Sequence, residues 1–221
     1  MIIGISGMIS SGKSTLTSKL LQHYKNSILL EEYSENDEVF TTMLNWFYEK
    51  RPNLDLSFQA YVVENHLANV DKAIAKFNQL KMNPNKDLLF LDRFSAEHYV
   101  FALVNLKKLS PKAMQAYDAL FKVLVSQNEL PEFAIFLDVS YENFEKRLFA
   151  RGRKVEIDNY EANKAYFKEL YQVYKEAFIK IANTYNIKYA IIDTNILSEE
   201  QVFAQAVQLI EEYKENHVTN I

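Results

Sequence analysis

The sequence contains no cysteine, which excludes disulfides, thiolate metal sites and a cysteine nucleophile. No stretch approaches the uncharged apolar length that spans a bilayer. The opening MIIGISGM has no basic leader, so neither a membrane span nor a signal peptide is expected, and the chain reads as cytoplasmic. An excess of positive charge is missing as well. The formal net charge of -4 argues against a binder of nucleic-acid polymers. Any anionic ligand must therefore be held by a local cluster of cations. Glycine is scarce: of only four, three fall in the first twelve residues and the last, Gly152, lies between two arginines. A chain this sparing with glycine uses each one for its backbone.

What is present is ordinary for a globular protein, with 48% apolar and 24% charged residues. The 221 residues fit one domain with a full core, and no repeat, linker or low-complexity tract divides them. Short apolar runs at 2–6, 27–31, 87–92, 133–138 and 189–193 read as buried strands. Helical spacing separates them, at about 13–24, 37–50 and 56–79. Two more helices follow the third strand, the second opening at Ser110-Pro111, a serine cap with proline in the first turn. Ser140 reads as the cap of another helix, residues 151–157 as a mobile polar loop, and the remaining helices as about 159–185 and from 198 onward. Alternation of this kind points to a single α/β domain with a parallel sheet covered on both faces.

Gly7 to Ser14, GMISSGKS, satisfies G-x-x-x-x-G-K-[ST] and stands between a predicted strand and a predicted helix. The glycines let successive N–H groups turn toward phosphate oxygens, and the helix adds its positive end. Lys13 supplies a point charge to the outer phosphates and Ser14 a hydroxyl for magnesium. Gly7, Ser10, Ser11, Gly12, Lys13, Ser14 and Thr15 are accordingly the candidate residues for a nucleoside triphosphate.

The acceptor is indicated by the end of the second strand, where Ile28-Leu29-Leu30 runs into Glu31-Glu32. Ligands of open parallel sheets lie beyond the strand C-termini. A carboxylate there suits a hydroxyl acceptor, whose proton it takes, and repels a phosphate acceptor. A solvated pair in a turn is the plain alternative for these two residues.

Taken in order, the phosphate loop, Glu31, Asp92-Arg93 and the arginine-rich RLFARGRKVE resemble the deoxyribonucleoside kinase family over nearly the whole chain. That family includes the deoxycytidine, deoxyguanosine and bacterial deoxyadenosine kinases. The resemblance implies a three-layer α/β/α P-loop kinase with a five-stranded parallel sheet, one domain over 1–221, and an arginine-rich lid at about 147–157. The family's Glu-Pro falls on Glu31-Glu32, with Asn36 fixing the register, so Glu31 is the implied general base. Glu32 in place of proline leaves an exchange of roles open. Tyr48-Glu49-Lys50 and Phe58-Gln59 match at the family's separation, implying that Tyr48 holds the sugar 3′-hydroxyl and Gln59 the base. By the same match Asp92 helps Ser14 hold magnesium, and Arg93 lies near the attacked phosphate and the 5′-oxygen. Phe94 stands where the family has serine, and one residue is missing before Tyr99. Aligned from there, Glu97 matches an acid that reads the base, while His66 replaces its usual arginine partner. In the lid, Arg147, Arg151 and Arg153 would fold over the phosphates of ATP, and Glu156 would accept from the sugar 3′-hydroxyl. Guanidinium forks suit that task, although arginines before a glycine also stabilise a helix end.

The implied activity is transfer of the ATP γ-phosphate to the 5′-hydroxyl of a deoxynucleoside, a purine one or deoxycytidine, by a homodimer. A thymidylate-type monophosphate kinase and a non-catalytic nucleotide-binding regulator are the competing expectations.

Overall fold

The computed structural model describes residues 1–31, 37–126 and 129–218. Strand β1 (Ile2–Gly7) leads through the phosphate loop into α1 (Lys13–His23), followed by β2 (Ser27–Leu30), α2 (Glu38–Tyr48) and α3 (Asp55–Gln79). After β3 (Leu88–Asp92) a single 3-10 turn, Ser95–Glu97, runs into α4 (His98–Leu106), and α5 (Pro111–Leu124) precedes β4 (Phe133–Asp138). The chain continues as α6 (Tyr141–Arg151), the short α7 (Lys154–Asp158), α8 (Tyr160–Thr184), β5 (Lys188–Asp193) and α9 (Glu199–Val218).

Among the described residues the five strands of the sheet are all parallel, in the order β2-β3-β1-β4-β5. Because successive side chains point to opposite faces, the apolar strands feed two separate cores. Ile3, Ile5, Leu88, Phe90 and Ile135 join Leu16 and Leu20 of α1 and Val202, Ala206 and Ile210 of α9. On the other face Leu89, Leu91, Ala134 and Phe136 meet Val63 and Val70 of α3, Val100 of α4, Tyr117 of α5 and Phe178 of α8. This is the three-layer α/β/α arrangement the sequence implies.

Local chemistry sets the ends of several helices. Ser110 Oγ accepts from the Ala113 N–H at 3.1 Å and Ser140 Oγ from the Asn143 N–H at 3.3 Å, the two caps expected from sequence. Asp37 caps α2 through the Phe40 N–H at 2.9 Å, and the same carboxylate accepts from Tyr61 and Asn65 of α3. The start of α2 is thereby tied to α3. The loop expected at 151–157 is instead a left-handed cap at Gly152 (φ 73°) followed by helix α7. Its Glu156 is buried against two arginines, which gives this polar segment a reason to fold back rather than remain in solvent. Glu32 and Asn36, used above for register and role, lie outside the described residues.

Gly7 is the backbone hinge between β1 and the phosphate loop. At φ +143°, a Cβ there would stand 2.7 Å from the Leu137 carbonyl oxygen and 2.7 Å from Ser11 Oγ. Gly7→Ala is expected to cost about 1–3 kcal/mol through strained backbone and overpacking. A thermal melt should therefore drop by several degrees, at roughly 2–4 °C per kcal/mol for a chain of this size. An unchanged melting temperature would contradict this reading of the hinge.

Candidate active site

The phosphate loop closes on itself. Lys13 is buried, and its ammonium donates to the carbonyls of Gly7 at 3.1 Å and Met8 at 3.2 Å. Its charge is thus held inside the loop by two backbone carbonyls. Ser14, at the first turn of α1, donates its hydroxyl to Asp92 Oδ2 at 2.6 Å. Asp92 ends β3, next to β1 in the sheet, so topology brings these two oxygens together. Among the described residues no group of three or more His, Asp or Glu is placed to hold a metal. A serine and one carboxylate beside a phosphate loop suit magnesium, which takes a few protein oxygens and completes its shell with phosphates and water.

Beyond the loop opens a cavity of about 1110 Å³. At the phosphate loop it is lined by Ser10, Gly12, Lys13, Ser14 and Thr15, and elsewhere by Tyr48 of α2 and Gln59 of α3. Glu31, just past β2, is exposed at the cavity wall, and Asp92 and Arg93 complete that side. Arg151, Arg153 and Glu156 line the roof. Gly7 and Ser11 sit below the surface: Gly7 through its backbone, Ser11 through a carbonyl that accepts from Arg147 at 3.2 Å.

The three arginines around the α6–α7 junction differ in what they hold. Arg147 donates to Thr194 Oγ1 at 2.9 Å and to the Thr194 carbonyl at 2.6 Å as well as to Ser11. It braces the phosphate loop against the segment after β5, and burial lowers its pKa. Arg151 and Arg153 both pair with Glu156, Arg153 at 3.2 Å. Tyr48 lies close enough to Glu156 to feel its charge; burial first, and that carboxylate second, push the phenol well up. A tyrosine hydroxyl that stays protonated and a buried carboxylate thus share one part of the wall.

Two expectations about the base end are corrected. Glu97 is fully buried and absent from the wall; it accepts from the Gly7 N–H at 3.3 Å and from Arg93 at 2.7 Å, below the phosphate loop. His66 is buried behind the wall, its ring centroid 4.9 Å from that of His98. His98 lines the cavity in its place, together with Phe101 and Tyr166. Phe101 lies under the Arg93 guanidinium at 4.8 Å, a cation–π contact that sequence spacing does not display.

A family model described as deoxynucleoside kinase matches residues 3–215. The chain belongs to the deoxynucleoside kinase family. It is therefore a phosphotransferase with an alcohol group as acceptor. An uncharacterised protein of Mycoplasma pneumoniae is 32% identical to the kinase over 213 residues, covering 93% of this chain and 87% of the relative. A deoxyguanosine kinase of Lactobacillus johnsonii is 26% identical, covering 81% of this chain and 77% of the relative. A solved structure of deoxyadenosine kinase from M. mycoides, with dCMP and a flexible dCDP bound, shares the fold at a TM-score of 0.73. Its identity is 20%, covering 96% of the kinase and 99% of that chain. No described helix of the kinase is long and apolar enough to cross a membrane.

Proposed function

We propose that the kinase moves the γ-phosphate of ATP onto the 5′-hydroxyl of a purine deoxynucleoside, deoxyadenosine or deoxyguanosine, with deoxycytidine as a further acceptor. The observation that carries this reading is that Lys13, Glu31, Arg93, Tyr48 and Gln59 line one cavity. Its volume of about 1110 Å³ exceeds the roughly 300–1,000 Å³ usual for a single small ligand. Triphosphate and nucleoside lie end to end within it, and the sugar falls between Lys13 and Gln59.

In this arrangement Glu31 takes the proton of the 5′-hydroxyl as the oxygen attacks. Lys13 and Arg93 stabilise charge on the transferred group, and Arg151 and Arg153 leave Glu156 for phosphate oxygens as the roof closes. Tyr48 and Glu156 hold the sugar 3′-hydroxyl. Ser14 and Asp92 would hold a magnesium ion, whose charge would offset that of the phosphates. At the far end Gln59 offers an amide donor and acceptor together, the pair that matches the adenine N6/N7 edge. Deoxyguanosine and deoxyadenosine kinases among the relatives support the purine preference. With Glu97 behind the wall, that preference no longer draws on an acidic reader of the base. The same proposal places the enzyme in the cytoplasm as a homodimer, to be checked by its sedimentation coefficient.

The test is kcat/KM for the four common deoxynucleosides with ATP and magnesium. The two purine substrates are expected to rank first, deoxycytidine next and thymidine last. Preference for thymidine would overturn the assignment of the base end.

A further inference from the structure

Below the phosphate loop lies a carboxylate outside the cavity wall. Glu97 is 0% exposed and Tyr174 of α8 1% exposed. A single oxygen, Glu97 Oε1, gathers three donors: the Gly7 N–H at 3.3 Å, Arg93 Nη1 at 2.7 Å and the Tyr174 hydroxyl. Arg93 Nη1 also reaches the Tyr174 hydroxyl, and the guanidinium lies over the rings of Phe101 at 4.8 Å and Tyr174 at 5.7 Å.

The backbone points the same way. Arg93 adopts φ +72°, a left-handed conformation that an L side chain holds only where its surroundings over-determine it. Its own N–H is tied to the Ile5 carbonyl at 2.9 Å. The same carboxylate oxygen therefore holds both the first glycine of the phosphate loop and a cation on the cavity wall. Burial pushes the Glu97 carboxyl up, while Arg93 and Lys13 oppose that shift, so its charge state is tied to both cations. Hydrogen bonds at such a dry site are strong and stiff.

We propose that Glu97 and Tyr174 are positioning residues of the phosphoryl transfer, setting the Arg93 guanidinium and the entry of the phosphate loop in one register. The inference rests on the proposed reading that Arg93 stands beside the transferred group. Neither residue lines the cavity, so both act on the reaction through Arg93 and Gly7. A small displacement of such groups is costly: about 1 Å is worth on the order of 10²-fold in rate.

Tyr174→Phe deletes one hydroxyl and keeps the ring that packs on Phe101 and Phe136. Glu97→Gln keeps the shape and removes the charge. Steady-state kinetics with ATP and each of several deoxynucleosides, alongside thermal melts, distinguish the roles. Both variants are expected to lose roughly 10- to 100-fold in kcat, with KM little changed and the same factor for every acceptor. Tyr174→Phe should melt close to wild type, so it carries the test even if Glu97→Gln does not fold. Wild-type kcat in Tyr174→Phe would overturn the proposal, as would a loss in Glu97→Gln that differs from one base to another. Absence of transfer by the wild-type enzyme to any deoxynucleoside would overturn the proposed function itself, a result distinct from either.

Discussion

Glu31→Gln is expected to lower kcat by roughly 10²–10⁴-fold, the span of general-base catalysis. ATP binding should stay within a few-fold of wild type. The amide has the size of the carboxylate but cannot take the hydroxyl proton. Glu31 follows β2, at the edge of the sheet beside β3, whose own end carries Asp92 and Arg93. The acid is therefore brought to the cavity by strand order rather than by neighbours in sequence. Its exposure gives the substitution little structural consequence, so the loss should appear in turnover and not in the melt. A variant with wild-type kcat would remove Glu31 from the chemistry. Loss of ATP binding would place it with the donor instead.

Lys13→Met should have an effect of similar size for a different reason. Its ammonium is the buried cation of the phosphate loop, and removing one preorganised electrostatic partner of a transition state costs about 10²–10³-fold in turnover. Unlike the Glu31 variant, this one should also bind ATP more weakly, because the donor phosphates lose a charge. A structural cost accompanies it. The Gly7 and Met8 carbonyls lose their donor, at about 1–3 kcal/mol if neither finds another. That corresponds to a fall of several degrees in the melt of the ligand-free enzyme, at roughly 2–4 °C per kcal/mol. Retained turnover with a lowered melt would reduce Lys13 to a loop brace.

Strand alternation, helix caps and the phosphate loop could be read directly from the residues, because each depends on neighbours within a few positions. Ser110, Ser140 and Gly152 act where their chemistry predicts, and the two-sided strands have the run length of a covered parallel sheet. What the sequence hid depends on contacts across the fold. Arg147 looks like Arg151 and Arg153 in sequence, yet Thr194, after β5, claims its guanidinium. Glu97 follows Arg93 by four residues on a tight turn, and that turn aims it at Gly7 rather than at the cavity. The resemblance supplied a residue type and a position, but not the direction of the side chain. His98 was hidden for the same reason, since a histidine on an apolar helix gives no sign of which side opens on a pocket.

The most direct measurement follows the label from γ-phosphate-labelled ATP incubated with the enzyme, magnesium and deoxyadenosine, the acceptor then being exchanged for deoxyadenosine monophosphate. Label in deoxyadenosine 5′-monophosphate, with little free phosphate and no labelled diphosphate from the monophosphate, is the predicted result. Label appearing only as inorganic phosphate, or only in the diphosphate, would contradict a cleft built to bring an alcohol to Glu31.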